Sequence, residues 1–350
     1  MKKIKYLLMV VVTIAILVAG YFVFMTVTDY KPEPKITLEI NQKSNEDIES
    51  YEFAATIFNI GYCGLDKEQD FFMDGGTGSR ASSKETVLSN LESITSFLEE
   101  NEDDFILLQE VDFKSKRTYH INQHERLSNS FKDYSDTYAI NYKVPWVPVP
   151  ITKPMGNVKS GLVTLSKYKI DSSIRYQFPG EEKWPRQLAL LDRCFIETRH
   201  KLNDDKDLVI INTHMSAYDK GGFIRHQQMN FLVKYLNEEY EKGNYVVVGG
   251  DWNHEMPGSD SDMLNPGKER LEWVKEIDVD FPNYKWAVDE KTPTNRYDDK
   301  PYVKGENYIT VLDGFLVSDN IEVIEVKTSD LGFENSDHNP VTLKFSLKND

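Results

Sequence analysis

The stretch "YVVVGGDWNHEM", residues 245–256, decides how the rest of the sequence is interpreted. It begins as an apolar, strand-forming run, passes through two glycines and ends in Asp251, Asn253 and His254. Gly, Asp and Asn all favour turns. The end of a rigid strand is also a good place to present reactive side chains. The stretch is therefore either a turn or the edge of a functional site, and its partners elsewhere in the chain must distinguish the two.

Strand-like and helix-like segments alternate from residue 51 onward. Segments rich in β-branched and aromatic residues predict strands at 53–60, 104–110, 136–143, 161–168, 187–198, 207–214, 245–251, 311–318 and 339–347. Amphipathic patterns predict helices at 82–101, with a capping box of Ser82 and Glu85, and at 222–243. Several strands are continuous apolar runs, as expected when both faces of a sheet are covered. The sequence predicts an α+β fold with two packed sheets and outer helices, a four-layer α/β/β/α sandwich.

The N-terminal region predicts a membrane anchor. Residues 1–5 form a basic tail, and residues 6–28 carry no charge, a length sufficient to cross a bilayer. The basic flank should stay in the cytoplasm, which predicts a single-pass protein of the cell membrane whose remaining domain is extracellular. The alternative is a signal peptide cleaved near residues 18–20, giving a secreted protein, although its apolar region would usually be shorter. We expect a linker at 29–50.

Residues 51–350 are expected to form one monomeric domain, because no linker interrupts them. The net charge is −16, which argues against a general basic nucleic-acid binder. It does not exclude an enzyme that meets phosphates through a bound cation. The two cysteines, Cys63 and Cys194, fit an exported protein that does not rely on disulfides, and whether they pair is left open.

Polar side chains recur where the predicted strands end or begin. They are Asn59, Glu110, His214, Asp251, Asn253, Asp313, Asp337 and His338. Each has an ordinary explanation when taken alone, as a solvated strand end, a turn residue or a semi-buried histidine. Together, at strand ends that meet, they would line one rim of the sandwich.

This set of residue types predicts hydrolysis of a phosphate ester. Carboxylate and amide oxygens without a cysteine cluster suit a hard cation such as Mg²⁺, or Mn²⁺. A histidine paired with a carboxylate, as His338 with Asp313, can take a proton from water. Asp251 and Asn253 would hold that water and the phosphate oxygens.

Seven segments occur in an order that resembles the endonuclease/exonuclease/phosphatase superfamily, with its DNase I-like fold. They are "IFNI", "LLQEVD", "SGLVTLSKY", "INTHM", "GGDWNHE", "VLDGFLVS" and "SDHNPV", spread over residues 53–347. The resemblance implies a metal-dependent phosphoesterase. It implies that Asn59 and Glu110 are metal ligands and that Asp337 is a carboxylate near the same metal.

The resemblance also implies the catalytic roles. His338 matches the general base, Asp313 the acid that orients it, and His214 the histidine that contacts the scissile phosphate or assists the leaving group. Asp251 and Asn253 match the pair that positions nucleophile and phosphate. Some DNA-repair members have a tyrosine at the position of His214 and an asparagine shortly after it. Ala217 stands where that asparagine would fall, which puts an abasic-site nuclease role in doubt.

The sequence leaves the substrate open between DNA or RNA, a phospholipid headgroup such as that of sphingomyelin, and a small phosphate ester. Lys116 and Arg117, and Lys153 with Lys159, are the basic candidates for substrate binding; Lys116 and Arg117 could equally be a solvated flank. The stretch "YKVPWVPVPITKPMG" (142–156), with Trp146, is expected not to be a strand. It would be either an exposed loop suited to a lipid interface or a loop folded over the core. A catalytically dead relative that binds a partner is disfavoured, because every expected site position is filled.

Overall fold

A computed structural model describes residues 2–202, 206–217, 219 and 221–348. The helices are α1 (Lys2–Val27), α2 (Lys84–Asn101), α3 (Gln123–Ser130), α4 (Phe223–Glu241) and α5 (Ser261–Leu264), with 3₁₀ turns at Gly61–Cys63, Phe72–Asp74, Lys116–Thr118 and Arg186–Ala189. The strands are β1 (Lys35–Thr37), β2 (Ile40–Asn41), β3 (Glu52–Asn59), β4 (Phe105–Asp112), β5 (Ser135–Val147), β6 (Gly156–Ser166), β7 (Ser172–Gln177), β8 (Cys194–Lys201), β9 (Asp207–His214), β10 (Tyr245–Asp251), β11 (Tyr284–Ala287), β12 (Asn295–Arg296), β13 (Ile309–Thr310), β14 (Asp313–Ser318), β15 (Ile321–Thr328) and β16 (Val341–Leu347).

Two mixed sheets of seven strands each form the centre of the molecule. The first has the order β15-β16-β3-β4-β6-β5-β2 and the second β1-β7-β8-β9-β10-β14-β11. Apolar side chains from both sheets fill the space between them, among them Phe53, Ile57, Phe105, Ile210 and Val247. Helix α2 packs on the outer face of the first sheet and α4 on that of the second. The predicted four-layer α/β/β/α sandwich is confirmed.

Several predicted boundaries shift in the structure. Helix α2 is capped by Ser83, whose side chain accepts from the backbone N–H of Thr86, rather than by Ser82. The segment 187–198 begins as a 3₁₀ turn, and only its second half joins strand β8. Strand β5 runs on to Val147 and pairs with β6, so the expectation that 142–156 is not a strand is wrong for its first six residues. The extent of β5 is decided by cross-strand pairing, which local sequence does not encode.

The predicted linker at 29–50 contributes to both sheets. Its two short strands, β1 and β2, pair with β7 and β5 at the outer edges of the second and first sheets.

Cys63 and Cys194 are both buried free thiols.

Helix α1 is long and apolar enough to cross a bilayer. Its 26 residues correspond to about 39 Å. Nearly all of its surface is exposed, and the buried residue in it is Met25, in the last turns. There the helix packs against side chains of β5, β6 and the 3₁₀ turn Arg186–Ala189.

Strand pairing brings the site residues to one rim. Strand β10 runs parallel to β9, which places Asp251 beside His214. It runs antiparallel to β14, which places Asp251 beside Asp313 on its other flank. In the facing sheet, the pairing of β3 with β4 ends at Asn59 and Gln109. The carboxyl ends of β3, β9 and β10 and the first residue of β14 therefore meet at one edge of the sandwich.

Candidate active site

A histidine–carboxylate pair lies at this rim. His338 comes just before strand β16, and its Nδ1 lies 2.8 Å from Oδ2 of Asp313, the first residue of β14. Both side chains are buried. The other ring nitrogen, Nε2, lies 3.0 Å from Nδ2 of Asn295 and 3.5 Å from Nδ2 of Asn59. The pair has the geometry in which a carboxylate fixes an imidazole while Nε2 faces the pocket.

Asp251 joins the two sheets at the same rim. Its Oδ2 accepts from Nδ2 of Asn59, in the facing sheet, at 3.0 Å, and lies 3.3 Å from Nε2 of His214. Its Oδ1 accepts from the backbone N–H of Asn253 at 2.9 Å. Asn253 itself has a left-handed backbone, with φ of 49°, and Nδ2 donates to the carbonyl of Met215. These hydrogen bonds fix the backbone of the turn that follows strand β10, beside the pocket.

The buried ionisable groups of the pocket differ in the direction of their pKa shifts. Burial alone would lower the pKa of His338, but the carboxylates of Asp313 and Asp337 outweigh it and raise that pKa well above its ordinary value. Burial, with the positive charges of Arg193 and His338, lowers the pKa of His214 well below the usual range, so this imidazole is neutral. Burial also raises the pKa of Asp251 to about 7. Such opposed shifts within one pocket are typical of functional sites.

Glu110 and Asp337 bring two further acidic groups to the pocket. Glu110 lies in a bulge of β4, where the pairing with β6 shifts between Leu108 and Val111, and has a φ of 56°. Burial raises its pKa, and the charge of Asp337 raises it further. Asp337 lies against Gly61, where a Cβ would come within 2.4 Å of its Oδ1. The bulge sets the direction of the Glu110 side chain, and the glycine leaves room for that of Asp337.

The donor chemistry of the pocket fits a divalent cation. The sequence-predicted metal residues Asn59, Glu110 and Asp337 all line it, and they offer carboxylate and amide oxygens of the kind that Mg²⁺ and Mn²⁺ prefer. A second group with ligand atoms within 4.8 Å of one another is Asp251, Asp313 and His338. Hydrogen bonding between His338 and Asp313 accounts for much of that proximity. Neighbouring carboxylates that repel one another are stabilised by a cation between them.

The site lines a cavity of about 190 Å³. Every sequence-predicted residue except Asp313 and the three lysines is in its wall, and Asp313 lies directly behind His338. Arg117 is buried in the wall and forms an ion pair with Asp112, with Nη2 to Oδ1 at 2.9 Å. Lys116 instead lies over the ring of Trp146, 4.5 Å from its centroid.

Three functional candidates were not found from the sequence. Asn295 contacts His338 Nε2, Arg193 lies in the wall near His214, and Arg225 donates to the carbonyl of Asn253 at 2.7 Å. Asn295 lies in the long stretch 255–308, where no periodic pattern predicts an element. Arg225 lies on the buried face of α4, and a charge on an apolar helix face is a signal that could have identified it. Trp252, between Asp251 and Asn253, is fully buried and packs in the core beneath the site.

A family model described as "Endonuclease/Exonuclease/phosphatase family" matches residues 81–338. The chain belongs to the endonuclease/exonuclease/phosphatase family. Endonucleases, exonucleases and phosphatases all hydrolyse phosphate esters, so this family member is a phosphoester hydrolase. Family enzymes depend on divalent metal ions, in agreement with the donor set of the pocket. The resemblance found in the sequence motifs is thereby confirmed.

Solved structures of family members share the fold. A family protein from Bacteroides vulgatus has 17% identity and a TM-score of 0.54, covering 85% of this chain and all of its own. ANGEL2, a 2′,3′-cyclic phosphatase solved with adenosine-2′,3′-vanadate, has 14% identity and a TM-score of 0.56, covering 90% and 99%. TDP2 from Caenorhabditis elegans has 14% identity and a TM-score of 0.51, covering 85% and 74%. No curated protein matches the sequence significantly. At these identities the similarity shows the fold alone.

Proposed function

We propose that the protein is a divalent-metal-dependent phosphodiesterase, anchored in the cell membrane by α1, whose catalytic domain lies on the extracytoplasmic side. The observation that carries the catalytic part is the buried His338–Asp313 pair, at 2.8 Å, in a pocket shared with Asp251, Glu110 and Asp337. A phosphate ester bound there would meet a base, an orienting carboxylate and a cation site at once.

His338 acts as the general base in this proposal. Asp313 holds Nδ1, which leaves Nε2 as the atom that accepts a proton from the attacking water. The amides of Asn295 and Asn59 flank Nε2 and limit the positions that a water can take beside it. Because Asp313 lies behind the ring, it stabilises the imidazolium that forms as the proton arrives.

Asp251, Asn253 and His214 position the reacting groups. Asp251 contacts residues of both sheets, so its carboxylate is held in one position. From there it orients the water and the neighbouring donors. The neutral His214 has an N–H to offer a phosphoryl oxygen or the leaving oxygen without adding a full charge. Arg117 contributes a fixed positive charge at the wall while it stays paired with Asp112.

Glu110, Asn59 and Asp337 would hold the metal ion, Mg²⁺ or Mn²⁺. When bound, such an ion supplies positive charge that neutralises the phosphoryl oxygens and offsets the carboxylates that raise the pKa of His338. The left-handed backbone of Glu110 directs its carboxylate, and the absence of a side chain at Gly61 leaves room for that of Asp337.

The anchor is supported by the sequence and exposure of α1. Residues 6–28 carry no charge, and the most apolar stretch of α1 is not covered by the rest of the described chain. An apolar helix of this length with most of its surface exposed is stable in a bilayer and not in water. Lys2, Lys3 and Lys5 favour a cytoplasmic N-terminus, and the domain would then lie outside.

The test is hydrolysis of bis-p-nitrophenyl phosphate by the full chain in detergent micelles. We expect turnover with Mg²⁺ or Mn²⁺, none with EDTA, and loss of turnover in His338→Ala and Glu110→Ala, while circular dichroism shows that both variants fold. Turnover that survives EDTA, or that persists in both variants, would overturn the mechanism. Protease accessibility of the domain in intact cells tests the orientation, since an extracytoplasmic domain is degraded and a cytoplasmic one is protected.

A further inference from the structure

The end of helix α1 is fastened to two loops of the catalytic domain. The hydroxyl of Tyr21 donates to the carbonyl of Trp146 at 3.2 Å. On the other side, Nε1 of Trp184 donates to Oγ1 of Thr26 at 3.3 Å, and its ring lies 5.6 Å from that of Phe22. The last two turns of the helix thus fix how the domain sits relative to the helix axis.

This attachment determines the depth of the two loops in a membrane. A bilayer core accommodates about 20 helical residues, and the twentieth residue of the uncharged run that begins at Tyr6 is Met25. Met25 is 1% exposed and packs with Val147 and Leu188 of the domain. Side chains that pack against the final turns of a spanning helix lie at the boundary between acyl chains and headgroups. The domain therefore meets the bilayer through these loops.

The same loops expose large apolar side chains. We call Trp146, Val149, Ile151 and Trp184 the apolar rim; their exposed fractions are 36%, 42%, 88% and 59%. Exposed tryptophan with aliphatic neighbours is costly in water and typical of membrane interfaces. The charged residues between 142 and 156 are two lysines, 143 and 153, in a chain of net charge −16. A basic, apolar loop on an acidic protein complements a surface of phosphate headgroups.

A second cavity lies between the apolar rim and the catalytic pocket. It has a volume of about 390 Å³ and an almost wholly apolar lining that includes Phe22 and Met25 of α1. Met73, Tyr142 and Met155 line both this cavity and the catalytic pocket. A molecule with a phosphate in one cavity and a hydrocarbon chain in the other would span the wall that these side chains form.

We propose that the substrate is a lipid phosphodiester of the membrane in which α1 lies, bound with its phosphate in the catalytic pocket and an acyl chain in the cavity beside α1. Water adds to phosphorus, one ester P–O bond breaks, the departing oxygen takes up a proton, and the products are an alcohol and a phosphate monoester. The apolar rim keeps the pocket at headgroup depth. This inference rests on the phosphodiesterase activity proposed above and names its substrate class.

The test uses the full chain reconstituted in vesicles of phosphatidylcholine, phosphatidylglycerol or sphingomyelin with Mg²⁺. We expect headgroup or phosphate-monoester release from at least one of them. Ile151→Glu should lower that release about tenfold, since a charge at the interface weakens insertion, and should leave hydrolysis of bis-p-nitrophenyl phosphate in micelles unchanged. Ile324→Glu is the matched control: Ile324 is 52% exposed on β15, at the edge of the first sheet opposite to β5 and β2, and should change neither activity.

The outcomes separate the two proposals. Wild-type protein that hydrolyses bis-p-nitrophenyl phosphate but none of the three lipids refutes the lipid substrate and leaves the phosphodiesterase intact; cleavage of plasmid DNA or RNA instead would point to a nuclease. Protein inactive on every substrate refutes the phosphodiesterase. An equal loss of lipid hydrolysis in Ile151→Glu and Ile324→Glu also refutes the role of the apolar rim.

A measurement without catalysis tests the same surface. Lipids brominated in the acyl chain quench tryptophans that reach them. We expect quenching of the reconstituted wild-type chain and a smaller quenched fraction in Trp184→Phe, whereas Trp252→Phe, a change at a fully buried position, should leave the quenched intensity unaltered. An unchanged quenched intensity in Trp184→Phe would place the apolar rim outside the bilayer.

Discussion

The Nδ1 atom of His338 lies 2.8 Å from Oδ2 of Asp313, although the two residues adjoin strands of different sheets. Asp313 begins β14 in one sheet, whereas His338 precedes β16 in the other. The base and its orienting acid are therefore brought together only when the two sheets pack. This relationship ties catalysis to the tertiary fold, and it can be tested without altering the base itself.

Asp313→Asn should lower kcat by about 10²-fold to 10⁴-fold with little change in KM. The amide donates where the carboxylate accepted, so the imidazole turns to the tautomer whose Nε2 carries the proton and cannot take another. The measurement is steady-state hydrolysis of bis-p-nitrophenyl phosphate with saturating Mg²⁺. Asp278→Asn, at a side chain 76% exposed, is the control and should behave as wild type. Near-wild-type kcat in Asp313→Asn would exclude the orienting role.

Glu110→Gln should lower the affinity for the metal ion more than it lowers the stability of the fold. Removal of one negative ligand reduces the affinity for a divalent ion. Changes to groups outside the ligand shell already lower metal affinity by roughly tenfold, so the loss here should be at least as large. Calorimetric titration of the substrate-free protein with Mn²⁺ gives the affinity directly. The increase in melting temperature on adding Mn²⁺ gives it independently, because a ligand that binds the native state stabilises it. Glu92→Gln, on the exposed face of α2, should keep wild-type affinity; equal affinities in all three proteins would remove Glu110 from the metal site.

His200 should make the stability of the fold depend on pH. Burial lowers its pKa to about 4, and its Nδ1 lies 2.8 Å from the carbonyl of Lys169. The unfolded chain takes up the proton near pH 6.5 and the folded chain only near pH 4, so stability is full above pH 6.5 and falls as the pH drops between these values. The loss at pH 5 should be about 2 kcal/mol.

Urea unfolding of the full chain in micelles at pH 7 and pH 5 measures this loss. His200→Asn should lower the free energy of unfolding at pH 7 but flatten its decline toward pH 5. His226→Gln, which replaces a largely exposed histidine, should retain the wild-type slope. A wild-type slope in His200→Asn would show that other groups cause the acid sensitivity.

Much of the fold was predictable because its signals are local. Continuous apolar runs predicted central strands such as β9 and β10, and the 3.6-residue pattern predicted α2 and α4 to within a few residues. The edge strands β1 and β2 were not predicted, because three and two residues pair there only through contact with distant strands. The length of β5 depended on β6 in the same way.

The candidate site was predictable where a motif carries the chemistry, and not where tertiary contact does. Asp251, His214 and His338 stand at strand ends within motifs, and the structure brings them into one pocket. Asn295 reaches the same pocket from an irregular region, through a bridge to His338 that no sequence pattern encodes. Lys116 and Arg117 are adjacent in sequence, yet only Arg117 points into the wall.

Gly250→Ala should unfold the rim of the site. The contrast is a glycine whose backbone φ is unfavourable for alanine but which has free space around it. A Cβ at Gly250 would lie 1.9 Å from the carbonyl oxygen of Thr213, in the neighbouring strand, so β9 and β10 would have to separate next to Asp251. We expect a loss of about 3 kcal/mol or more, because no flexible side chain can move aside. Gly267→Ala should cost only about 1 kcal/mol, since its φ of 78° is unfavourable for alanine but nothing lies within 4 Å. Thermal unfolding of both variants in micelles gives the comparison, and equal melting temperatures would contradict the close approach of β9 to β10 at this position.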